Sequence, residues 1–400
     1  MISKRPFAKW LGDTNEVTRI FLAAGEIPDM INLAGGLPEP SVWPADIIAD
    51  MAYKAVLENT EEALAYSPIE GLPRLRDVIA ERYNNNETKL TRDNVLVTTG
   101  GMQALDLLGK IMLDEGGLIA GQFPTYLGAL DAWRPRKPSY RPMHLEGNKK
   151  FDAHAALEGA KFGYIVPNFS NPSGFLVPLE TRKSFVDAAH ATGTLLIEDD
   201  PYGTLYLDGP PLPRLLDLSA KRQIGPYDGP IVYLGTLSKM LVPRLRIGWV
   251  IGAPDVITAL TLAKQGSDIC TSGLCQKIAQ EAFSQGLIED ILALTLSIYK
   301  TRRDVLCDAM EANLSELFQW TKPQGGMFVW AQAIDPRIDT NLLLHTAMDC
   351  GVCVSPSSAF DPSGANKNSI RINFTLNEPD KLNVGIKRLA TATRRLLAES

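Results

Sequence analysis

Apolar runs of a few residues recur through the middle of the chain, each closed by a polar cluster and followed by a stretch with helical spacing. The runs at 95–97, 118–120, 163–166, 194–197, 231–234 and 247–251 predict strands, and 101–113, 126–133 and 179–191 predict helices. Short continuous apolar strands separated by helices imply an α/β fold with a mainly parallel sheet covered by helices. Nearer the start, a short helix is expected over 16–24. Val17, Ile20, Phe21 and Ala24 share one of its sides and Arg19 lies off that side. Further helices open at Pro44, with Ile47, Ile48, Met51, Ala55 and Val56 at helical spacing, and at Pro73. Residues 287–313 hold neither Gly nor Pro and read as one long helix carrying the chain into a second region. There, strands at 327–330 and 370–374 and helices at 341–349 and 379–398 give an α+β pattern. The expected division is an N-terminal arm and helix over 1–30 that joins the small domain, a large domain over 31–286 and a small domain over 287–400.

Bulk properties narrow the classes. The chain has 400 residues, 45% of them hydrophobic and 22% charged, enough for a sizeable core. A net charge of −6 and a pI near 5.4 argue against a nucleic-acid or anionic-membrane binder. Five cysteines form no framework, and the Cys350–Cys353 pair enters an apolar run without a second pair or histidine partners. That pair reads as packing, no metal site is expected, and the compartment reads as reducing and cytoplasmic. The first residues, Met1 to Pro6, precede no apolar segment and so predict no signal peptide. The uncharged run 162–179 is too rich in Asn, Ser, Pro and Gly to cross a bilayer.

Candidate chemistry collects where the predicted strands end. Thr98-Thr99-Gly100-Gly101-Met102 is a strand end, a Gly-Gly turn and a helix start, whose free N–H groups suit a phosphate. It matches neither the dinucleotide fingerprint nor a P-loop. Asn171 and Pro172 follow the strand at 163–166, and Asp199, Asp200 and Tyr202 follow the next. Thr236, Ser238 and Lys239 follow the strand at 231–234, with Arg246 seven residues beyond the lysine. Open α/β sheets bind ligands outside the carboxyl ends of their strands. A lysine so placed can form a Schiff base while hydroxyls and an arginine hold an anion beside it.

Taken in order, several pieces resemble the fold-type I, pyridoxal-phosphate-dependent aminotransferases of class I/II, most of all the subgroup acting on 2-aminoadipate and kynurenine. They are Gly35-Gly36-Leu37-Pro38, Tyr66 to Gly71, Thr99 to Leu105, Pro124-Thr125-Tyr126, Asn171 to Gly174, Asp199 to Tyr202, Gly235 to Trp249 and Ser369-Ile370-Arg371. They span nearly the whole chain. The resemblance implies an aspartate aminotransferase-like fold with a seven-stranded sheet. It also implies amino transfer from an L-amino acid to a 2-oxo acid such as 2-oxoglutarate, in ping-pong half-reactions through an aldimine and pyridoxamine phosphate. Another pyridoxal-phosphate reaction on the same scaffold, by a lyase, decarboxylase or oxidase, is the alternative.

The same resemblance assigns roles. Lys239 would hold the cofactor and act as acid and base, Asp199 would pair with the ring nitrogen, and Tyr126 would stack on the ring. Asn171 and Tyr202 would bond the ring hydroxyl. The phosphate would lie on Gly101, Met102, Thr236, Ser238 and Arg246. Tyr66 would reach it from the neighbouring subunit of a homodimer with shared active sites. Arg371 would clamp the substrate α-carboxylate, with Gly36 and Asn171 beside it. Arg19 would meet a distal substrate carboxylate, Pro172 would follow a cis bond, and Arg244 stands where a glycine is common.

Overall fold

In the computed structural model, which describes residues 6–13, 17–148 and 150–399, seven strands form one sheet. They are β1 (Val95–Thr98), β2 (Leu118–Gln122), β3 (Ser139–Met143), β4 (Phe162–Ile165), β5 (Leu196–Asp199), β6 (Ile231–Thr236) and β7 (Gly248–Ile251). Their order across the sheet is β1-β7-β6-β5-β4-β2-β3. Only β7 runs against its neighbours; the other pairings are parallel. Strands β1, β4, β5, β6 and β7 are buried along their whole length, which is why they read as unbroken apolar runs. Helices Gly101–Met112 and Pro254–Gln265 pack against this sheet.

A second, antiparallel sheet is built from Ser355–Pro356, Ser369–Asn373, Phe328–Ala333 and Phe318–Trp320, in that order. The long helix Leu287–Leu314 lies against the last helix, Pro379–Glu399. Its buried Leu287, Ile288, Ile291, Leu292, Thr295 and Tyr299 recur every three or four residues, the stripe that a core-facing helix needs. Ahead of the large sheet, Ile31–Asn32 pairs in parallel with Val352–Cys353, so the chain's beginning is fastened to its far end.

Several elements differ from the sequence expectation. Strand β3 reads as a loop because it carries Pro142 and is largely exposed. It sits at the sheet edge, where a residue without an N–H is tolerated. Helices Pro254–Gln265 and Gly273–Ser284 and the short strands Phe318–Trp320 and Ser355–Pro356 are additions to the expected set. In helix Ala45–Glu58 only Met51 and Ala55 are buried, whereas Ile47 is exposed. The first long helix is Val17–Ala24, and Glu16 lies outside the described residues. Cys353 is buried in its short strand and Cys350 half-buried beside it, both as free thiols.

Candidate active site

The site forms where β4, β5 and β6 end. Strand β6 ends at Thr236, and within it Gly235 leaves room for the indole of its register partner Trp249: a Cβ there would lie 2.3 Å from it. Buried Leu237, Met240 and Leu241 pin the turn that follows. Thr236 Oγ1 donates to the Ile247 carbonyl (3.1 Å) and accepts from Ser238 N (3.1 Å), so both hydroxyls are fixed next to Lys239. Lys239 Nζ donates to the carbonyl of Gly36 at 2.8 Å. Burial, and then the nearby Arg371 and Arg246 guanidiniums, push its pKa down to about 8. Such an amine is partly neutral at physiological pH.

Opposite it, Asp199 ends β5 and Oδ2 accepts the Tyr164 hydroxyl at 2.7 Å. Burial raises its pKa to about 7; the Tyr164 hydrogen bond works against this and the Asp200 charge adds to it. Tyr126 precedes helix Leu127–Trp133, and burial lifts its phenol to about 12, so it stays neutral. Gly128 leaves room for that ring, since a Cβ there would come within 2.5 Å of it. The helix Gly101–Met112 starts behind Gly100, which has φ +77° and no side chain to cap the first N–H groups. Arg246, at φ 53°, lays its guanidinium over Gly100, and Nη1 reaches Ser238 Oγ at 3.4 Å. The result is a cup of N–H, hydroxyl and guanidinium donors. One cavity of about 180 Å³ is lined by every expected cofactor-binding residue except Tyr66.

Arg371 is buried in the antiparallel sheet, in Ser369–Asn373. Nη1 donates to Asn171 Oδ1 at 2.6 Å and Nη2 to the Ala34 carbonyl and Ser355 Oγ. Nε is buried with no partner, and among the described residues no carboxylate pairs with the group. Burial lowers its pKa to about 10, and the rings of Phe328, Phe360 and Phe21 surround it at 4.3, 4.7 and 6.0 Å. A buried cation without a counter-ion costs several kcal/mol, a debt that an incoming carboxylate offsets.

Matches to known proteins agree with this geometry. The family model for aminotransferases of class I and II covers residues 28–389. The chain belongs to this family. It is 34% identical over 392 residues to aromatic-amino-acid aminotransferase 1 of Thermococcus litoralis, covering 96% of this chain and 92% of that one. The α-aminoadipate aminotransferase of Thermus thermophilus, solved with N-(5'-phosphopyridoxyl)-L-leucine, superposes with a TM-score of 0.89 at 31% identity, covering 98% of both chains. The kynurenine aminotransferase of Pyrococcus horikoshii does so with a TM-score of 0.89 at 34% identity, again over 98% of both chains. The protein is a fold-type I, pyridoxal-phosphate-dependent transaminase that moves an amino group from an amino acid to a 2-oxo acid.

The residues present fit that cofactor: an amine of lowered pKa, a buried carboxylate, a neutral aromatic face and an anion cup share one cavity. The Asn171–Pro172 bond is cis, as expected, and so is Phe123–Pro124. Three expected residues stand apart. Tyr66 is 87% exposed and outside the lining of the cavity in its own chain. Arg19 is exposed on helix Val17–Ala24, while Phe21 of the same helix is buried over Arg371. Arg244 is exposed and outside the lining. A wider groove of about 540 Å³ between Leu130–Tyr140 and Ser358–Gly364 contains none of the motif residues.

Other contributors escaped the sequence reading. Gln103 Oε1 accepts from Thr99 N (2.8 Å), and Thr99 Oγ1 donates to Asp268 (2.8 Å), which buried Lys264 neutralises. This network braces the cup from behind. Lys264 lies in the last turn of a helix and Asp268 just beyond its end, a pairing that carried no signal because the helix itself was not anticipated. Tyr164 was visible as a polar hydroxyl inside an apolar strand, but only the pairing of β4 with β5 gives it a target.

Proposed function

We propose that these side chains divide the work of the transaminase as follows. Lys239 carries the cofactor and moves the proton at the substrate Cα, and Asp199 holds the ring nitrogen protonated. Tyr126 covers the ring, Asn171 and Tyr202 hold its hydroxyl, and Gly101, Met102, Thr236, Ser238 and Arg246 receive the phosphate. Bound there, pyridoxal phosphate supplies the electron sink and the carrier for the amine. Arg371 grips the α-carboxylate, with Gly36 and Asn171 beside it. The observation that supports this reading most is the buried Arg371, its Nε without a hydrogen-bond partner and no described carboxylate beside it, close enough to Lys239 for its charge to lower that lysine's pKa.

The acceptor is 2-oxoglutarate, and the donor an L-amino acid with a large apolar or aromatic side chain. Phe21, Phe328 and Phe360 crowd the carboxylate clamp, whereas Arg19 is exposed. Relatives named for aromatic amino acids and kynurenine fit this reading. The active unit is a homodimer in the cytoplasm: Tyr66, Tyr53, Leu57 and Leu64 offer an apolar exposed face, and Tyr66 serves the partner's phosphate cup. Free cysteines, and no described helix long and apolar enough to cross a membrane, are consistent with that location. The proposed division remains an arm over 1–30, a large domain over 31–286 and a small domain over 287–400; that the seven-stranded sheet falls within the second range and the four-stranded one within the third supports it.

A panel of amino donors against 2-oxoglutarate tests the substrate reading. Aromatic donors are expected to exceed 2-aminoadipate in kcat/KM by roughly ten-fold, the order one pocket contact supplies. Arg19→Ala is expected to leave the ranking unchanged. A preference for 2-aminoadipate that disappears in Arg19→Ala would return the selecting role to Arg19.

A further inference from the structure

Asp199 is held by a residue to which no role has been given. Tyr164 lies within β4, fully buried, and its register partner on β5 is Ile197, two residues before Asp199. Side chains two apart on a strand share a face, so the phenol runs along the sheet toward the carboxyl end and meets Asp199 Oδ2 at 2.7 Å. No described residue donates to the other carboxylate oxygen, Oδ1. The Tyr164 ring is itself fixed. Trp133 meets it edge-on at 5.0 Å and 85°, and the Trp133 indole N–H donates to the Leu105 carbonyl at 2.9 Å. Leu105 belongs to helix Gly101–Met112, whose first turn is the phosphate cup, and Gly109 of that helix makes way for the indole. A Cβ at Gly109 would lie 2.6 Å from Trp133 Cδ1. A continuous path of contacts thus joins the cup to the carboxylate, from Leu105 through Trp133 and Tyr164 to Asp199.

We propose that Tyr164 is a positioning residue for the cofactor: by donating to Oδ2 it orients Asp199 and keeps it ionised, leaving Oδ1 for the ring nitrogen. The proposal rests on the assignment of Asp199 to that nitrogen. Other titratable groups facing Asp199 are its neighbour Asp200, whose charge favours the protonated form, Tyr126 and Tyr202, both held neutral by burial, and Lys239 in the lining of the same cavity, whose Nζ is engaged by the Gly36 carbonyl. None of these replaces the donor. With Tyr164→Phe the burial and the Asp200 charge remain while the stabilising hydrogen bond is gone, so the carboxyl keeps its proton to a higher pH. Cofactor retention should therefore fail first on the acid side.

The test follows release of pyridoxal phosphate from the holoenzyme against pH, for the wild type, Tyr164→Phe, Asp199→Asn and the double variant. The expected result is roughly ten-fold weaker retention in Tyr164→Phe at pH about 6.5, the order for a hydrogen bond to a charged group, narrowing as the pH rises toward about 9. In the Asp199→Asn background the same change should cost no more than about two-fold, because its target is gone. kcat should fall while the amino-acid KM stays within about two-fold, since Arg371 is untouched. A pH-independent loss, or an equal loss in the Asp199→Asn background, overturns the proposal. If Asp199→Asn itself leaves retention unchanged, the assignment of Asp199 falls and this proposal with it. If only Tyr164→Phe is silent, the proposal alone falls. Should Tyr164→Phe fail to accumulate as folded holoenzyme, Trp133→Phe loosens the same ring, and wild-type pH dependence in that variant overturns the proposal.

Discussion

In the proposed role of cofactor carrier Lys239 has to be a nucleophile, and its surroundings decide at what pH it is one. Deprotonation with a pKa of about 8 leaves about a tenth of the amines neutral at pH 7, against roughly one in three thousand for an ordinary lysine. Capture of pyridoxal phosphate by the cofactor-free enzyme should therefore accelerate as the pH rises through about 8 and level off above it. Arg371→Met should raise that midpoint, because the guanidinium is the largest cause after burial. Stopped-flow absorbance gives both curves, and a wild-type midpoint above about 9.5 would contradict the assignment of a low-pKa amine. Linkage gives Lys239 and Asp199 opposite slopes. The folded chain holds fewer protons on Lys239 than the unfolded chain between pH about 8 and 10.5, so stability rises with pH there. On Asp199 it holds more between about 4 and 7, so its contribution falls as the pH rises through that window. Which residues would gather at one place was largely readable from residue type at strand ends. Lys239, Asp199, Asn171, Tyr202 and Arg246 line one cavity, as their order along the chain led one to expect. Arg19 and Tyr66 were harder, because one depends on how a short helix is turned and the other on a second chain.

At the scale of elements, the turn between β1 and the helix Gly101–Met112 has the least freedom. Gly100 combines φ +77° with ψ 171°, a region open in practice to glycine alone. A Cβ there would also lie 2.4 Å from Arg246 Nη2. Gly100→Ala should cost about 1–3 kcal/mol of stability and displace Arg246 from the cup. Thermal melts with and without pyridoxal phosphate would register both effects as a lower melting temperature and a smaller shift on adding cofactor. Wild-type values for both would mean that the cup tolerates a side chain. The elements legible in sequence were those whose environment is uniform. Strands β4 to β7 are buried throughout, and their polar residues Glu198, Asp199 and Thr236 fall only at strand ends, so the apolar runs before them stay visible. Strand β3 is exposed and contains Pro142, so its composition resembles a connection. Helix Ala45–Glu58 was legible from its spacing, although much of its apolar surface faces outward.

For the whole molecule, that outward face matters most. Tyr53, Leu57, Leu64 and Tyr66 are 60 to 87% exposed along one stretch of chain. Covering them with a second copy would bring each Tyr66 to the other's cup. Lys239→Ala and Tyr66→Ala damage different subunits of such a shared site. Mixing the two inactive variants, after unfolding and refolding together, should recover about a quarter of wild-type activity through hybrids with one intact site. Assays at matched protein concentration with each variant alone as control give the comparison. No recovery, with hybrids confirmed by tagged pull-down, would place Tyr66 outside the partner's site.

The bond from Arg371 to the Ala34 carbonyl joins residues 337 positions apart, and Ile31–Asn32 finds its strand partner only at Val352–Cys353. During synthesis these contacts can close only after Val352 and Arg371 have emerged. A nascent chain with about 320 residues outside the ribosome already holds Lys239, Asp199 and the phosphate cup, but neither Arg371 nor an anchor for its own first strand. The residues proposed to hold the cofactor are therefore synthesised before the arginine proposed to hold the substrate, and translation itself sets the order in which they become available.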